Sequence, residues 1–327
     1  MLLLLSLARL ACVLLILATA VPAILAIFGS LVPFLDLINH LQLVLFFATL
    51  IATIIAILLG LPNDWKIFAA MGFAFSAWTF MPEWLSSFEA RPPETDAQVI
   101  KVMTHNIFGL NYDMDRVAKV IAEENPDIVA LQEYFPEQAG LDALLKPNYP
   151  YRVVCRGGKR ANIGLYSKLP FDREMRDADC PDNAYGTQRT AHIIVGFTLS
   201  DGTHFSLMTT HMDWPFPIER QRAEYLSTER AVKAVQGPLL LVGDFNSTPW
   251  SYVMKAFEAE SGLKRETRNL ITYPELFTVP GGLIHTWPFL ALDQVFERGV
   301  AVHELHRGPE TGSDHLPVIF SFSVPRG

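Results

Sequence analysis

What most constrains this chain is a pair of apolar runs near its amino terminus. Residues 10–28 and 41–61 carry no charged side chain, and each is long enough to cross the ~30 Å hydrocarbon core of a bilayer. A third run, 67–81, is shorter, and Trp65, Trp78 and Trp84 lie at or near its ends, where interfacial aromatics belong. Runs of this length separated by short polar gaps do not suit a soluble core. Residues 1–89 therefore read as a membrane region of about three transmembrane helices. The alternative for the first run is a cleaved signal peptide, because Ala18-Thr19-Ala20 resembles a cleavage site. Its leading segment, however, carries only Arg9 besides the terminal amine.

Flanking charge sets the orientation. Before residue 90 the basic residues are Arg9 and Lys66, and the acidic ones are Asp36, Asp64, Glu83 and Glu89. Arg9 precedes the first run and Lys66 lies between the second and third, so positive charge is kept inside if the amino terminus is cytoplasmic. The expectation is a multi-pass protein of the cell membrane, with everything after the third run on the extracytoplasmic side. Residues 90–98, with Arg91-Pro92-Pro93-Glu94-Thr95, read as a short stiff linker. Residues 99–323 read as one globular domain. Removing two basic and four acidic residues from the totals of 26 and 34 leaves 24 and 30, a net charge of −6 for the remainder. That balance speaks against tight non-specific binding to nucleic acid, which needs many Lys and Arg. It leaves a locally basic cleft open.

Within that domain, residues 99–104 alternate apolar and polar with β-branched members, the pattern of a strand, and end in His105-Asn106. A helix capped by Asp113 or Asp115, with Val117, Ala118, Val120 and Ile121 inward, stops at Pro126. A buried strand over 128–131 delivers Gln132-Glu133. Strands follow over 151–155 and 163–166, and a hairpin over 191–199 and 204–210 turns at Asp201-Gly202-Thr203 and ends at His211. A helix over 218–235 precedes a buried strand, 239–242, that ends in Gly243-Asp244-Phe245-Asn246. Another helix covers 250–259, and the last strands cover 292–296, 300–305 and 317–322. Hairpins mixed with strand–helix units imply an α/β domain of mixed sheets covered by helices.

One pattern recurs: a polar or acidic residue closes an apolar strand. Asn106, Glu133, His211, Asp244 and Asn246 all sit there. Strand ends hold side chains rigidly at one rim of a sandwich. Any single one has a structural explanation, because turns favour Asp and Asn. Together with Ser313-Asp314-His315 before the final strand, they exceed turn chemistry.

Thr104-His105-Asn106-Ile107, Leu131-Gln132-Glu133, Thr210-His211, Gly243-Asp244-Phe245-Asn246, Leu292-Asp293-Gln294-Val295 and Ser313-Asp314-His315 occur in one order along the chain. In this respect residues 97–323 resemble the endonuclease/exonuclease/phosphatase superfamily, which includes pancreatic-type deoxyribonucleases, abasic-site endonucleases, neutral sphingomyelinases and inositol polyphosphate phosphatases. The resemblance implies a four-layered αββα sandwich and divalent-metal chemistry. The apolar amino-terminal region has no counterpart in the soluble nucleases.

Under that resemblance Glu133 is the foremost ligand of Mg²⁺, for which Mn²⁺ can substitute, with Asn106 and Asp314 supporting it. Oxygen donors suit Mg²⁺, and no Cys/His spacing suits zinc. Asp244 orients or deprotonates the attacking water, and Asn246 donates to phosphoryl oxygens. His315 contacts the phosphate or acts as a base, with Asp293 fixing its tautomer. His211 is the acid for the leaving group; abasic endonucleases tend to have a tyrosine there. Arg189 clamps a phosphate or forms a surface salt bridge. The expected protein is a membrane-anchored, Mg²⁺-dependent phosphodiesterase or phosphatase whose substrate is a lipid headgroup or a nucleic acid; no protein partner is inferable. An extracytoplasmic nuclease acting on DNA or RNA is one alternative, and a non-catalytic membrane-anchored binding module is another. If the domain lies in an oxidising compartment, Cys155 and Cys180 pair; Cys12 lies in the first apolar run.

Overall fold

The computed structural model describes residues 2–93, 97–155, 162–179 and 192–325, with 173–179 as backbone alone. The chain divides into two units: Met1–Glu89 together with Ser247–Ala256, and Ala90–Asn246 together with Phe257–Gly327.

The first unit is helical, with α1 (Leu2–Ala26), α2 (Pro33–Asp36), α3 (Gln42–Leu58) and α4 (Asn63–Ser86). Among the described residues two stretches, Leu2–Ser30 and Pro33–Leu58, are long and apolar enough to cross a membrane, rather than the three expected. The third apolar run does lie in a helix, but α4 also takes in Asp64, Lys66 and Glu83 and is interrupted by Pro82, which lowers its apolar character. Small residues let the helices approach closely: a Cβ placed on Gly72 would lie 2.4 Å from the Ala20 Cβ. Cys12, Ile16, Ala20, Ala52, Ala56 and Ala69 fill the contact.

A buried polar chain crosses this apolar unit. Asn39 Nδ2 donates to Asp36 Oδ1 at 2.9 Å, Gln42 Nε2 to Asn39 Oδ1 at 2.9 Å, and Ser76 Oγ to Gln42 Oε1 at 3.0 Å. The Asp36 carboxylate also accepts the amides of Tyr252 (2.8 Å) and Val253 (3.1 Å), and His40 Nδ1 accepts the Thr248 amide at 3.2 Å. The first N–H groups of a helix lack intrahelical partners and favour an anion, so Asp36 acts as a remote cap for the helix that starts at Tyr252.

The second unit carries two six-stranded sheets. One is built from β1 (Val99–Asn106), β2 (Ile128–Gln132), β3 (Tyr151–Cys155), β4 (Ile163–Ser167), β13 (Ala301–Arg307) and β14 (Val318–Ser323), in the order β13-β14-β1-β2-β4-β3. The other comprises β5 (Asp172–Asp179), β6 (His192–Thr198), β7 (His204–His211), β8 (Leu239–Asp244), β9 (Lys264–Arg265) and β12 (Asp293–Arg298), in the order β5-β6-β7-β8-β12-β9. A separate hairpin pairs β10 (Leu276–Val279) with β11 (Gly282–His285). Alternation along the strands sorts side chains to two faces. Val102, Ala130 and Phe320 from one sheet meet Leu207, Val242 and Val295 from the other in a shared core. On the first sheet's outer face, Met103, Val129 and Ile319 pack with Val117 and Ile121 of α5 (Met114–Glu124) and Leu145 of α6 (Gly140–Leu145). On the second sheet's outer face, Phe245 and Phe296 pack with Tyr225 of α7 (Ile218–Ala234) and Phe257 of α8 (Tyr252–Ser261). This is a mixed α/β sandwich with helices outside both sheets. The α5 boundaries follow local chemistry: Asp113 caps the first turn by accepting from the Arg116 amide at 3.1 Å, and Asn125 ends it in the left-handed conformation (φ 51°).

Candidate active site

β1 and β2 run parallel, as do β7 and β8. Their carboxyl ends therefore close on a common rim, each pair within its own sheet. Between the sheets the apolar core gives way there to polar contacts. Gln132 Nε2 donates to Thr104 Oγ1 of its own sheet and to Thr209 Oγ1 of the other, both at 3.1 Å.

One step further toward the rim, Asn106 Nδ2 donates to Asp244 Oδ2 at 2.9 Å, joining the end of β1 to the end of β8. The other Asp244 oxygen accepts the Asn246 amide at 2.8 Å. Gly243 makes this turn possible. It has φ +144°, and a Cβ there would lie 2.0 Å from the Thr210 carbonyl oxygen. Glu133 and Asn246 both take left-handed backbone conformations, at φ 55° and 46°, which cost a non-glycine residue free energy and cluster at functional sites. The Glu133 turn brings Oε2 to the Gly109 amide at 2.8 Å.

His211 is fully buried, with Nε2 3.5 Å from Asp244 Oδ2 and 3.9 Å from Glu133 Oε1. Asn246 Nδ2 donates to the Met212 carbonyl at 2.9 Å and reaches Asp244 Oδ2 at 3.3 Å. His315 Nδ1 meets Asp293 Oδ2 at 2.8 Å, and its Nε2 faces Asp244 Oδ2 at 3.7 Å. Thr272 Oγ1 donates to the same Asp293 oxygen at 2.5 Å. Ser313 Oγ donates to the Asn106 carbonyl at 2.7 Å and accepts the His315 amide at 3.0 Å.

The electrostatics follow from crowding buried charge. Burial alone would push the His315 imidazolium down, but the carboxylates of Asp293 and Asp244 outweigh it and raise His315 to about 10. Asp244 is held below the ordinary carboxylate range: burial pushes it up, and the charges of His315 and His211 more than reverse that. Asp293 is raised by burial, against the charge and hydrogen bond of His315. Asp314 is raised to about 6, first by burial and then, against the charge of His315, by Glu133 and Asp244. His105 lies behind the site, pushed down to about 3 by burial and then by His315; its Nε2 is engaged by Thr311 Oγ1 at 2.7 Å.

The structure thus brings together Asn106, Glu133, His211, Asp244, Asn246, Asp293, Asp314 and His315. Arg189 lies outside the described residues. Thr272, Tyr273 and Ser313 are additions as individual groups. The Tyr273 ring packs on His315 with centroids 4.6 Å apart, and no periodicity or turn signal marks it. Asp314, raised first by burial, also feels the charge of Glu133, and carboxylate oxygens are the donors that a hard divalent cation takes. Ligand atoms of Asp244, Asp293 and His315 also lie within 4.8 Å of one another. Within this second group His315 Nδ1 already bonds Asp293 Oδ2.

Residues 103–315 match the Endonuclease/Exonuclease/phosphatase family. Two curated relatives are UPF0294 proteins: one from Vibrio campbellii, 26% identical over 133 residues, and one from Vibrio vulnificus YJ016, 28% identical over 130 residues. Each match covers 39% of this chain and 43% of the relative, so it spans less than half the relative's length. Among solved structures, an endonuclease/exonuclease/phosphatase from Bacteroides vulgatus superposes with TM-score 0.55 at 21% identity, over 70% of this chain and 100% of that one. D. rerio TDP2 complexed with single strand DNA product gives TM-score 0.55 at 17% identity, over 69% and 100%. At these identities the likeness concerns the fold.

Proposed function

This chain belongs to the endonuclease/exonuclease/phosphatase family, and from that premise we propose that it is a membrane-anchored, metal-dependent phosphoesterase that attacks a phosphate diester with an activated water. The observation that carries the reading is the meeting of Asn106 and Asp244 across the two sheets, at 2.9 Å, with His211 and His315 on either side of Asp244.

Glu133 and Asp314, with the Asn106 amide oxygen, would hold Mg²⁺ or Mn²⁺. When bound, the cation supplies charge neutralisation at the phosphate and its leaving oxygen. The remaining work falls to side chains. Asp244 stays ionised and accepts a hydrogen bond from the attacking water, which orients it and takes its proton. His315 stays protonated near neutrality, so its Nε2–H serves as a cationic contact to a phosphoryl oxygen rather than as a base. Asp293 and Thr272 fix the ring. Asn246 Nδ2 has a second hydrogen, held weakly by Asp244 Oδ2, for a phosphoryl oxygen on which charge builds. His211 is the acid for the leaving group.

Two observations support an extracytoplasmic catalytic unit. The first apolar stretch carries its one positive charge, Arg9, toward its amino-terminal end, and Cys155 is disulfide-bonded, a state that oxidising compartments permit. The expected partner Cys180 lies outside the described residues, and Cys12 is free. We place residues 1–89 in the membrane, with the substrate either a lipid headgroup or a nucleic acid.

The test is hydrolysis of bis(4-nitrophenyl) phosphate by the full chain purified in detergent. EDTA should abolish turnover and Mg²⁺ or Mn²⁺ restore it. Asp244→Asn should lower the rate by ~10²–10⁴-fold, as for removal of a general acid or base. Undiminished hydrolysis in excess chelator, or a folded Asp244→Asn protein with wild-type rates, would overturn the proposal.

A further inference from the structure

Three loops border the candidate site, and each is tied to one of its residues. The loop after β1 (residues 107–112) donates the Gly109 amide to Glu133. The loop after β7 (212–217) follows His211 directly, and its Trp214 packs edge-on against Tyr273 at 6.1 Å, the ring that stacks on His315. The β10–β11 hairpin stands on Glu275, whose amide donates to the Asp314 carbonyl at 2.7 Å.

These loops carry an unusual surface. Among the described residues of this unit that expose a large apolar side chain, all but Leu144, Tyr151 and Leu226 lie on these loops or on the segment leaving the hairpin. Leu110 and Tyr112 stand on the first, Trp214 and Phe216 on the second, and Leu283 and Ile284 on the hairpin. Trp287, just after the hairpin, is 91% exposed. Apolar side chains concentrated this way mark an interaction surface rather than scatter. Residues 107–112, 212–217 and 276–290 contain no Lys or Arg. A nucleic-acid track needs those cations to replace counterions, whereas Trp, Tyr and aliphatic side chains match the headgroup–acyl boundary of an electrically neutral bilayer; the neighbouring Arg220 is ion-paired with Asp213 of the second loop. The same chain contains two stretches of bilayer-crossing length, so a lipid surface is within reach of a tethered unit.

We propose that these loops form a lipid-facing rim around the site and that the substrate is a phosphodiester carried by a membrane lipid. The inference rests on the phosphoesterase reading for its substrate, but not for the rim. Leu283 and Ile284 of β11 enter the bilayer boundary, Trp214 and Phe216 follow at headgroup depth, and the phosphodiester is presented to Asp244 without leaving the membrane.

The experiment uses the full chain with Cys12→Ala, reconstituted in phosphatidylcholine nanodiscs and carrying an environment-sensitive NBD label on either Leu283→Cys or Leu144→Cys. The Leu283 label should emit at shorter wavelength and be quenched about twofold by doxyl-labelled lipid, and the Leu144 label should not, because the hairpin enters the boundary and α6 does not. A Leu283→Ser/Ile284→Ser double variant should lower phosphatidylcholine hydrolysis about tenfold, since lost apolar burial weakens interfacial binding. Equal behaviour of the two labels overturns the rim; if bis(4-nitrophenyl) phosphate is still hydrolysed, the phosphoesterase reading survives. Insertion of the Leu283 label without hydrolysis of any diester keeps the rim and overturns the phosphoesterase reading. Hydrolysis of a single-stranded oligonucleotide but not of phosphatidylcholine overturns the lipid assignment.

Discussion

Replacing Gly243 by alanine tests how the backbone builds the site. Its φ of +144° is one that L side chains rarely adopt, and the added Cβ would fall 2.0 Å from the Thr210 carbonyl oxygen. Ordinary carbon–oxygen contact requires β7 and β8 to separate by ~1 Å at this pair. Backbone strain costs ~1–3 kcal/mol, and weakening two ladder hydrogen bonds costs ~0.5–1.5 kcal/mol each. The expected loss is about 2–6 kcal/mol. At ~2–4 °C per kcal/mol for a unit of this size, the Tm should fall by ~4–24 °C. Gly202→Ala is the control: its φ is also positive (+83°), yet nothing lies within 4 Å of the added Cβ, so only the strain of ~1–3 kcal/mol applies. Both proteins would be melted in detergent by intrinsic fluorescence. Because Thr210 pairs with Gly243 and His211 with Asp244, the folded fraction of Gly243→Ala should also lose activity. A Gly243→Ala protein that melts no lower than Gly202→Ala would refute the clash argument.

Glu133→Gln should chiefly weaken cation binding, so its turnover should recover partly at high Mg²⁺; a loss independent of Mg²⁺ concentration would remove Glu133 from the ligand set. His315 is raised to about 10, above the ~6.5 of an unfolded histidine, so its contribution to stability is full below that value and is lost as pH rises through about 10. Melting curves in EDTA should therefore fall over that range more steeply for the wild type than for His315→Gln, and parallel curves would contradict the assignment. Denatured without reductant, the chain should show one thiol by Ellman's reagent, from Cys12, and three after reduction; three in both cases would remove the oxidising-compartment argument.

Much of the sandwich is legible because strand and helix periods differ and one-sided burial enforces them. The run 128–131 reads as a buried strand because all its side chains are apolar, and helix α5 declares itself through Asp113 and the spacing of Val117, Val120 and Ile121. The strand-end polar residues are legible for a related reason: the same alternation that puts Val102 in the core puts Asn106 on that face four residues later, at the rim. What escapes notice depends on long-range pairing. Thr272 looks like any loop threonine until Asp293 is placed beside it. The β10–β11 hairpin hides in a stretch with Pro280, Gly281 and Gly282 that reads as loop. The third apolar run becomes a helix that reaches past its own boundaries to Asp64 and Glu83, which apolar run length alone does not reveal. Asp36 registers in the sequence only as charge, since its amide partners lie more than two hundred residues away.

The placement of Ser247–Ala256 has a consequence for how this protein can be cut. The polypeptide passes between its units three times, at residues 89/90, 246/247 and 256/257, so they are interleaved rather than strung in series. A fragment starting near residue 90 would still carry Trp250, which is fully buried with its ring 5.7 Å from that of Phe80, and the Tyr252 and Val253 amides would lose Asp36. Such a fragment would display an apolar, uncapped segment one peptide bond downstream of Asn246. Proteolytic cleavage near residue 90 would in this arrangement yield a damaged fragment. Cleavage behind Ala20 would similarly strip Cys12 and Ile16 from the helical packing. The helices are thus part of what the loop after the Gly-Asp-Phe-Asn turn is folded upon, and retaining them is a condition of its shape.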